Sequence, residues 1–463
     1  MSRRISAAPT DKEDFTRESP SGHADGNDVK LLPRAGIGST TIFQIAVLLC
    51  GMGSGIVLAR SLGPAGRGEL AIDLLWPGIL ALLGDFGLGF SFSYHAGKLR
   101  SEIHGLWTLA TLTGLVAGSG ISVIGWFVIP HFVPAIRGHA ENFGLALLSV
   151  PMVLISGYQA FLLLGTGFVA DFNFVRLIVP VVNLVLALCL ADIGWTSVRW
   201  FLTAYLLAQA SGLILSGILI GRRCRPRFTF PRSLLRGVFS YGLKTVAGSI
   251  AAQANIRADQ AYMSIVMTTS QLGQYVVAVS VGGVLSPFLN AMAIVIMPRA
   301  SHAVNDAQGA QLVARHVKLA CLISAPVLLG SVLLMPWLLP AFFGAAYRPA
   351  VHSAQVLSFA ALFQGVNAVL GNSLRSLGRP GPPAIAEAFG MVATIALLFL
   401  LLPVLGIMGA AIASLAAYAL VGLLQFIFIA KMGRVNILQL ALTPIDFPIV
   451  DRSRKALQQW VTR

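Results

Sequence analysis

Long apolar runs separated by short polar breaks dominate the chain. Each run stays apolar for roughly 20 residues or more, which is the length an α-helix needs to cross a bilayer. Strands of a membrane barrel would instead alternate apolar and polar residues over about ten positions. The pattern therefore predicts an all-α integral membrane protein of twelve transmembrane helices. The predicted spans are 39–60, 69–94, 105–130, 143–165, 172–193, 197–221, 236–268, 272–298, 312–341, 350–376, 382–402 and 407–431.

Composition and charge support this prediction. The 463 residues are 56% hydrophobic and 11% charged, with a mean hydropathy of +0.78, and such a chain is too apolar for a soluble protein. The formal charge of +15 would indicate a nucleic-acid partner in a soluble protein. Here the basic residues fall in short loops and tails, where they control membrane topology. We therefore expect membrane lipids, and no nucleic acid, around the chain.

The distribution of Lys and Arg predicts the orientation. A central stretch, 222–236, reads RRCRPRFTFPRSLLR and has the composition of a cytoplasmic loop. On the side of the membrane that holds this loop and both termini, the segments carry 25 of the 33 Lys and Arg residues. The opposite segments carry five, namely Arg60, Arg67, Arg137, Arg199 and Arg348. Both termini are therefore predicted to be cytoplasmic.

The chain divides at the central loop into two halves. The predicted parts are a disordered cytoplasmic tail (1–38), a six-helix lobe (39–221), a basic linker (222–235), a second six-helix lobe (236–431) and a basic cytoplasmic tail (432–463). Gly165, Gly194 and Tyr205 of the first half recur as Gly378, Gly406 and Tyr418 of the second. With an even number of spans in each half, the repeats are parallel and a cavity is expected between them.

Basic and amide side chains inside the spans are the candidate substrate-binding groups. A charge costs about 2.5–3.5 kcal/mol at the centre of a span, so each one needs a partner or a wet cavity. Lys244, Asn255 and Arg257 lie on the seventh span, with Arg257 on the face opposite to Asn255, and Arg176 lies one turn into the fifth. These four are predicted to hold an anionic headgroup such as a pyrophosphate. Structural ion pairing of Arg257, and snorkelling of Arg176 to the interface, are the alternatives.

Acids inside the spans are candidates for ion coupling. Asp85, Asp259 and Glu387 are positioned either to bind a proton or Na⁺ during a transport cycle or to act as counter-charges for Lys244 and Arg257. Glu69 and Asp73 are expected on a solvated face at the outer end of the second span.

The chain offers little for catalysis or for a bound cofactor. Its four cysteines are isolated and its eight histidines are scattered, so no metal site, catalytic site or cofactor is predicted. The glycine pairs Gly51/Gly55 and Gly114/Gly118 are spaced for close helix packing. We expect a protein that is not an enzyme.

Four stretches resemble the polysaccharide transporter, or oligosaccharide flippase, family of the multidrug/oligosaccharidyl-lipid/polysaccharide exporter superfamily. The first is ARSLGPAGRGELA (59–71), and the second is Asp259 followed by QLGQYVVA (271–278) and MPRAS (297–301). The third is FFGAAYRPA (342–350), and the fourth is LGRPGPPAIAE (377–387) with GIMGAAIAS (406–414). The resemblance implies two lobes around a central cavity that opens alternately to each side. It also implies translocation of a polyprenyl-pyrophosphate-linked oligosaccharide across a bacterial cytoplasmic membrane, together with polymerase and export partners.

Three other functions stay open at this point. A cation-coupled multidrug exporter of the same superfamily would have an acid-dominated cavity. A lipid-linked peptidoglycan precursor flippase usually carries a two-helix extension that is absent here. A membrane glycosyl polymerase or ligase would need a large catalytic loop, whereas the outer loops are short.

Overall fold

The protein folds into a bundle of long helices. The computed structural model describes residues 34–224, 232–286, 289 and 306–434. These residues form helices and connecting turns, with no strand among them. The helices are α1 (Arg34–Asp85), α2 (Leu88–Lys98), α3 (Ile103–Phe132), α4 (Pro134–Arg137), α5 (Ala140–Leu147), α6 (Ser149–Gly165), α7 (Val169–Ile193), α8 (Val198–Cys224), α9 (Arg232–Val266), α10 (Thr269–Gly282), α11 (Asp306–Phe343), α12 (Val351–Ser376), α13 (Gly381–Leu405) and α14 (Ile407–Gly433).

The bundle is a multi-pass membrane protein, and the predicted fold class is confirmed. Nine segments of the described residues are long and apolar enough to cross a membrane. Large apolar side chains also cover the outside of the bundle, where Val404 is 80% exposed and Leu400 is 67% exposed. Such a surface suits contact with lipid. The count of twelve stays a prediction, because much of the predicted span 272–298 lies outside the described residues.

The first two predicted spans are two helical segments within Arg34–Asp85 that meet at Gly63. Gly63 has a non-helical φ of 65° and ψ of −179° and is followed by Pro64. A positive φ and a residue without a backbone N–H together turn the chain back across the membrane. The second predicted span, 69–94, is broken where Phe86 and Gly87 adopt φ of 46° and 68°, and α2 begins after them.

Two pairs of helices lie at the positions that the predicted repeat equates. They are α7 (Val169–Ile193) with α8, which is described to Cys224, and α13 (Gly381–Leu405) with α14. Gly194 and Gly406 join these pairs and both have a positive φ. The lobe, linker and tail boundaries stay a prediction, since residues 1–33, 225–231 and 435–463 lie outside the described residues.

The two halves meet tightly at the end of the bundle that holds the kink, which we call the Gly63 end. Here α1 crosses α10 with main-chain contact on both sides. A Cβ on Gly68 would overlap the carbonyl oxygen of Thr269, and a Cβ on Gly273 would overlap that of Pro64. Gly68 follows Pro64 by one helical turn, and Gly273 follows Thr269 by one helical turn. The two contacts therefore mirror each other, and the crossing is reciprocal. We call these four residues the glycine crossing.

Polar contacts add to the glycine crossing. The Arg60 guanidinium donates hydrogen bonds to the carbonyl oxygens of Ala341 and Phe342, the latter at 2.7 Å. The Tyr347 hydroxyl donates to the carbonyl oxygen of Ala59 at 3.2 Å. All these contacts join the first half to the second, so the bundle is closed at the Gly63 end.

The halves also touch at the opposite end, which we call the Cys224 end. The Ser91 hydroxyl on α2 donates to the carbonyl oxygen of Val238 on α9 at 2.7 Å. The rings of Tyr94 and Tyr241 stack with their centroids 4.4 Å apart. α9 therefore contacts the first half as well as its own half.

Candidate functional site

A cavity of about 440 Å³ lies in the first half, between α1, α6, α7 and α8. Most of its lining is apolar, and its polar side chains come from three helices. They are Ser156 on α6, Arg176 and Asn183 on α7, and Tyr205 and Gln209 on α8. One cation among several neutral hydrogen-bonding groups suits an anionic group that also carries hydroxyls.

Arg176 is held at the wall of this cavity. Its guanidinium lies over the Phe172 ring, 5.4 Å from the centroid. The Gln44 amide faces it, and with the amide oxygen turned to the guanidinium it accepts from Nη1 at 3.0 Å and Nη2 at 3.2 Å. Gln44 and Phe172 orient the guanidinium without neutralising it.

Arg257 belongs to α9 in the second half. Its side chain is exposed, and its charge acts electrostatically on Tyr205, which lines the cavity. Within the ranges that the structure describes, neither Arg176 nor Arg257 forms an ion pair with a carboxylate. Of the predicted substrate-binding residues, Arg176 thus lines the cavity, and Arg257 acts on it through Tyr205 without being part of the lining.

A buried carboxylate lies on the other face of α9. Asp259 is 4% exposed and accepts hydrogen bonds from the Tyr275 hydroxyl at 2.5 Å, the Ser414 hydroxyl at 3.3 Å and the Gln260 backbone N–H at 2.7 Å. Arg257 acts on it electrostatically. Two hydroxyls and one backbone N–H therefore donate to this carboxylate.

Asn255 lies one turn before Asp259 and belongs to the same buried group. Its amide oxygen accepts a hydrogen bond from the Thr394 hydroxyl on α13 at 2.7 Å. Its side chain also interacts with Glu387, near the start of α13. Asn255, Asp259 and Glu387 are thus together within the second half, away from Arg176. We call these three residues the acid cluster.

The remaining two candidates are elsewhere. Asp85 accepts from the backbone N–H groups of Gly87 at 3.1 Å and Gly89 at 3.4 Å, so it caps α2 after the break in the helix. Lys244 belongs to α9, but its side chain lies outside the described residues. Its predicted role stays a prediction.

The sequence analysis missed the groups that hold the candidates in place. Tyr275, Ser414 and Thr394 are single hydroxyls in apolar helices, and Gln44 is one amide in the first span. A period-3.6 analysis of polar positions within each span would have marked them as inward-facing, but it would not have paired them.

The expectation for Glu69 and Asp73 was wrong. Glu69 and Asp73 do not form a solvated face, because Asp73 is fully buried and His139, which lies in the connection before α5, is 3.1 Å from it. The contact joins residues far apart in the sequence, so the spacing of Glu69 and Asp73 could not reveal it.

Comparisons with known proteins identify the family and the fold. The profile of a family described as polysaccharide biosynthesis protein matches residues 57–352. The probable low-salt glycan biosynthesis flippase Agl15 of Haloferax volcanii is 26% identical over 176 residues, which cover 37% of this chain and 36% of that protein. The match thus spans about a third of the length of this relative.

Two solved structures share the fold. An inward-facing multidrug resistance MATE family transporter of the MOP superfamily has a TM-score of 0.70 and 14% identity, covering 85% of this chain and 99% of its own. The lipid II flippase MurJ, in an inward closed conformation, has a TM-score of 0.70 and 14% identity, covering 87% and 90%. At this identity the likeness shows the fold alone.

Proposed function

Since the chain belongs to the polysaccharide biosynthesis protein family, we propose that it moves polyprenyl-pyrophosphate-linked oligosaccharide repeat units between membrane leaflets by alternating access. The direction is from the inner to the outer leaflet of a bacterial cytoplasmic membrane, with both termini in the cytoplasm. No covalent step is needed, so the protein acts as a transporter and not as an enzyme. The product serves the synthesis of surface or exported polysaccharide, next to polymerase and export proteins.

The observation that carries this proposal is the pair Arg176 and Arg257 beside the cavity. A pyrophosphate that crosses lipid unaided loses its hydrogen bonds to water and buries its charge, at a prohibitive cost. Two guanidinium groups replace that hydration, and neither has a carboxylate partner among the described residues. Asn183, Tyr205 and Gln209 offer hydrogen bonds for sugar hydroxyls.

A leaflet assay in proteoliposomes tests the proposal. A fluorescent polyprenyl-pyrophosphate oligosaccharide is loaded in both leaflets, and its access to an external enzyme is followed with time. Loss of charge-assisted hydrogen bonds costs about 1.5–3 kcal/mol each. We therefore expect Arg176→Ala and Arg257→Ala each to slow translocation by roughly 10–100-fold. Arg199→Ala is the matched control, because Arg199 pairs with the exposed Glu141.

Two results would contradict the proposal. The first is that the parent protein leaves the lipid unmoved in this assay. The second is that both arginine variants and Arg199→Ala all move it at the parent rate. A lipid that carries the same sugars on a single phosphate tests the role of the arginines separately from the role of the cavity. Translocation of this lipid should be nearly insensitive to substitution of one of the two arginines but should still require the cavity.

The acid cluster favours a role in coupling. Asp259 is buried among hydroxyl groups and Glu387 is half-buried beside the Asn255 amide, and such surroundings suit either a proton or Na⁺. We expect Asp259→Asn to remove the dependence of translocation on an imposed gradient of the coupling ion. If Asp259 is only a structural counter-charge, this variant should unfold at lower temperature and keep that dependence.

A multidrug exporter with the same fold is the second candidate, and the acid cluster is what favours it. Against it, a cationic drug in the cavity of the first half would face the uncompensated charge of Arg176. The same proteoliposomes, loaded with a cationic dye, distinguish the two. Export of the dye without movement of the lipid would establish the exporter and shift attention to Asp85, Asp259 and Glu387.

A further inference from the structure

A second group of ionisable side chains lies at the Gly63 end, far from the acid cluster. Glu69 and Asp73 are one turn apart on α1, and His139 reaches them from the connection between α4 and α5. One ligand atom from each residue lies within 4.8 Å of the other two. Asp73 is 0% exposed, and the other two are partly buried. Two carboxylates and an imidazole thus converge where little water reaches them.

One ion-pair contact accounts for part of this group, because His139 Nδ1 is 3.1 Å from Asp73 Oδ1. The other buried atoms, Asp73 Oδ2 and His139 Nε2, have no hydrogen-bond partner among the described residues. The Asn142 amide donates to Glu69 at 3.2 Å and leaves Asp73 untouched. Burial of a carboxylate that lacks hydrogen-bond donors costs roughly several kcal/mol unless a positively charged group lies beside it.

The types of metal-ligand atom and the distance between them indicate which positively charged group would bind here. Zn²⁺ binds imidazole nitrogen and carboxylate oxygen at about 2.0–2.2 Å, so neighbouring ligand atoms of a tetrahedral site lie about 3.3 Å apart. The 3.1 Å between Nδ1 and Oδ1 fits one edge of such a site. Imidazole favours Zn²⁺ over Mg²⁺ or Ca²⁺, while the two carboxylates match the charge of a divalent ion.

We propose that Glu69, Asp73 and His139 bind a divalent transition-metal ion, with Zn²⁺ the best fit. The Glu69 carboxylate is within 4.8 Å of the other two ligand atoms, and a rotation of its side chain that releases the Asn142 amide would bring its oxygen to bonding distance. The ion joins α1 to the connection before α5 within the first half. Because Glu69 follows Gly68 directly, the site lies beside the glycine crossing.

The test measures metal binding by the full-length protein in detergent, with any affinity tag removed and bound metal stripped with a chelator. Zn²⁺ is titrated by calorimetry, and Co²⁺ is used to obtain a visible spectrum that reports its ligands. The variants are Asp73→Asn and His139→Ala. The matched control is Glu141→Gln, which removes a nearby acid whose side chain is 83% exposed and paired with Arg199.

We expect one equivalent of Zn²⁺ to bind the parent and the control alike. Loss of a residue that only supports a metal ligand weakens binding by roughly 10–100-fold. Asp73→Asn and His139→Ala each alter a ligand itself, so each should weaken binding by more than this. His139→Cys should restore binding and add a sulfur-to-cobalt charge-transfer band, because a thiolate is also a ligand for these ions.

Three results would overturn the proposal. The first is no saturable binding of one equivalent by the parent, which would leave an ion pair between His139 and the acids as the whole role of the group. The second is unchanged binding in Asp73→Asn and His139→Ala. The third is a folded His139→Cys protein that binds Co²⁺ without the charge-transfer band, and this readout does not depend on the stability of the other variants.

Discussion

The glycine crossing should control whether the bundle closes at the Gly63 end. In Gly68→Ala the added methyl group meets the Thr269 carbonyl, which belongs to the main chain and cannot rotate away. Helix α1 and α10 must therefore separate. Overpacking of this kind costs about 1–3 kcal/mol. The higher helix propensity of alanine, about 1 kcal/mol, stabilises α1 in the closed and open forms alike and does not offset the overlap.

The penalty therefore falls on the closed form alone. A shift of about 1–3 kcal/mol corresponds to a change of about 5–150-fold in the ratio of closed to open molecules. Gly273→Ala should act similarly, through its overlap with Pro64. The double variant should show less than the sum, because the first methyl group already separates the helices that the second would press on.

Distances between spin labels provide the assay. Nitroxides are placed at Thr196→Cys in the first half and Ala345→Cys in the second, both exposed at the Gly63 end, after the four native cysteines are replaced. Gly68→Ala should add a longer distance population. Gly78→Ala is the control on the same helix, because a Cβ there has no neighbour within 4 Å. An unchanged distance distribution in Gly68→Ala would refute the reasoning.

Three further substitutions test other contacts. Tyr275→Phe removes the closest donor to Asp259 and should lower stability by about 1–3 kcal/mol, seen as a lower midpoint of thermal unfolding in detergent. Arg60→Ala removes both bonds to the end of α11 and should weaken closure by about 1 kcal/mol, measured with the same spin labels. Gly118→Ala should lower the unfolding midpoint, since its Cβ would overlap Pro151 on α6 at a cost of about 1–3 kcal/mol, whereas Gly51→Ala has open space and should raise it slightly.

Matched variants separate these effects from general damage. Tyr262→Phe removes a hydroxyl from α9 while keeping the ring contact with Phe399, and it should leave stability nearly unchanged. Arg137→Ala removes bonds to Pro130 and His131 within its own half, so it should not alter the label distances. Equal losses in a variant and its control would contradict the role given to Tyr275 or Arg60.

Helix positions were predictable from the sequence because lipid imposes a length and an apolar composition on every span. The predicted spans 382–402 and 407–431 fall within Gly381–Leu405 and Ile407–Gly433. The break inside 69–94 was not predictable in this way. Phe86 and Gly87 are apolar, so the window stays hydrophobic while the backbone turns.

Small-residue packing shows a second limit. The four-residue spacing predicted close helix packing for two glycine pairs, and the prediction is right for one pair and wrong for the other. A Cβ on Gly114 or Gly118 would overlap Ile155 or Pro151, whereas a Cβ on Gly51 or Gly55 would meet no described atom within 4 Å. The chain has 47 glycines, so spacing alone does not identify the ones that lie at a crossing. Gly68 and Gly273 lie in two stretches that carried the family resemblance, yet their reciprocal contact needs the structure.

The opposed faces of α9 were predictable, and they matter for how the proposed site works. Arg257 and Asp259 are two residues apart, about 200° around the helix, so one reaches the space between the halves while the other is buried in the second half. A single rigid helix thus connects the anion-binding region near Tyr205 with the acid cluster. Because α9 also contacts α2 at the Cys224 end, a rotation of α9 that followed a change at Asp259 would move Arg257 and disturb the stacking of Tyr94 on Tyr241 together. The coupling that we propose between ion and substrate therefore needs no chain of intermediate residues in this fold, only the rotation of one helix that carries both Arg257 and Asp259.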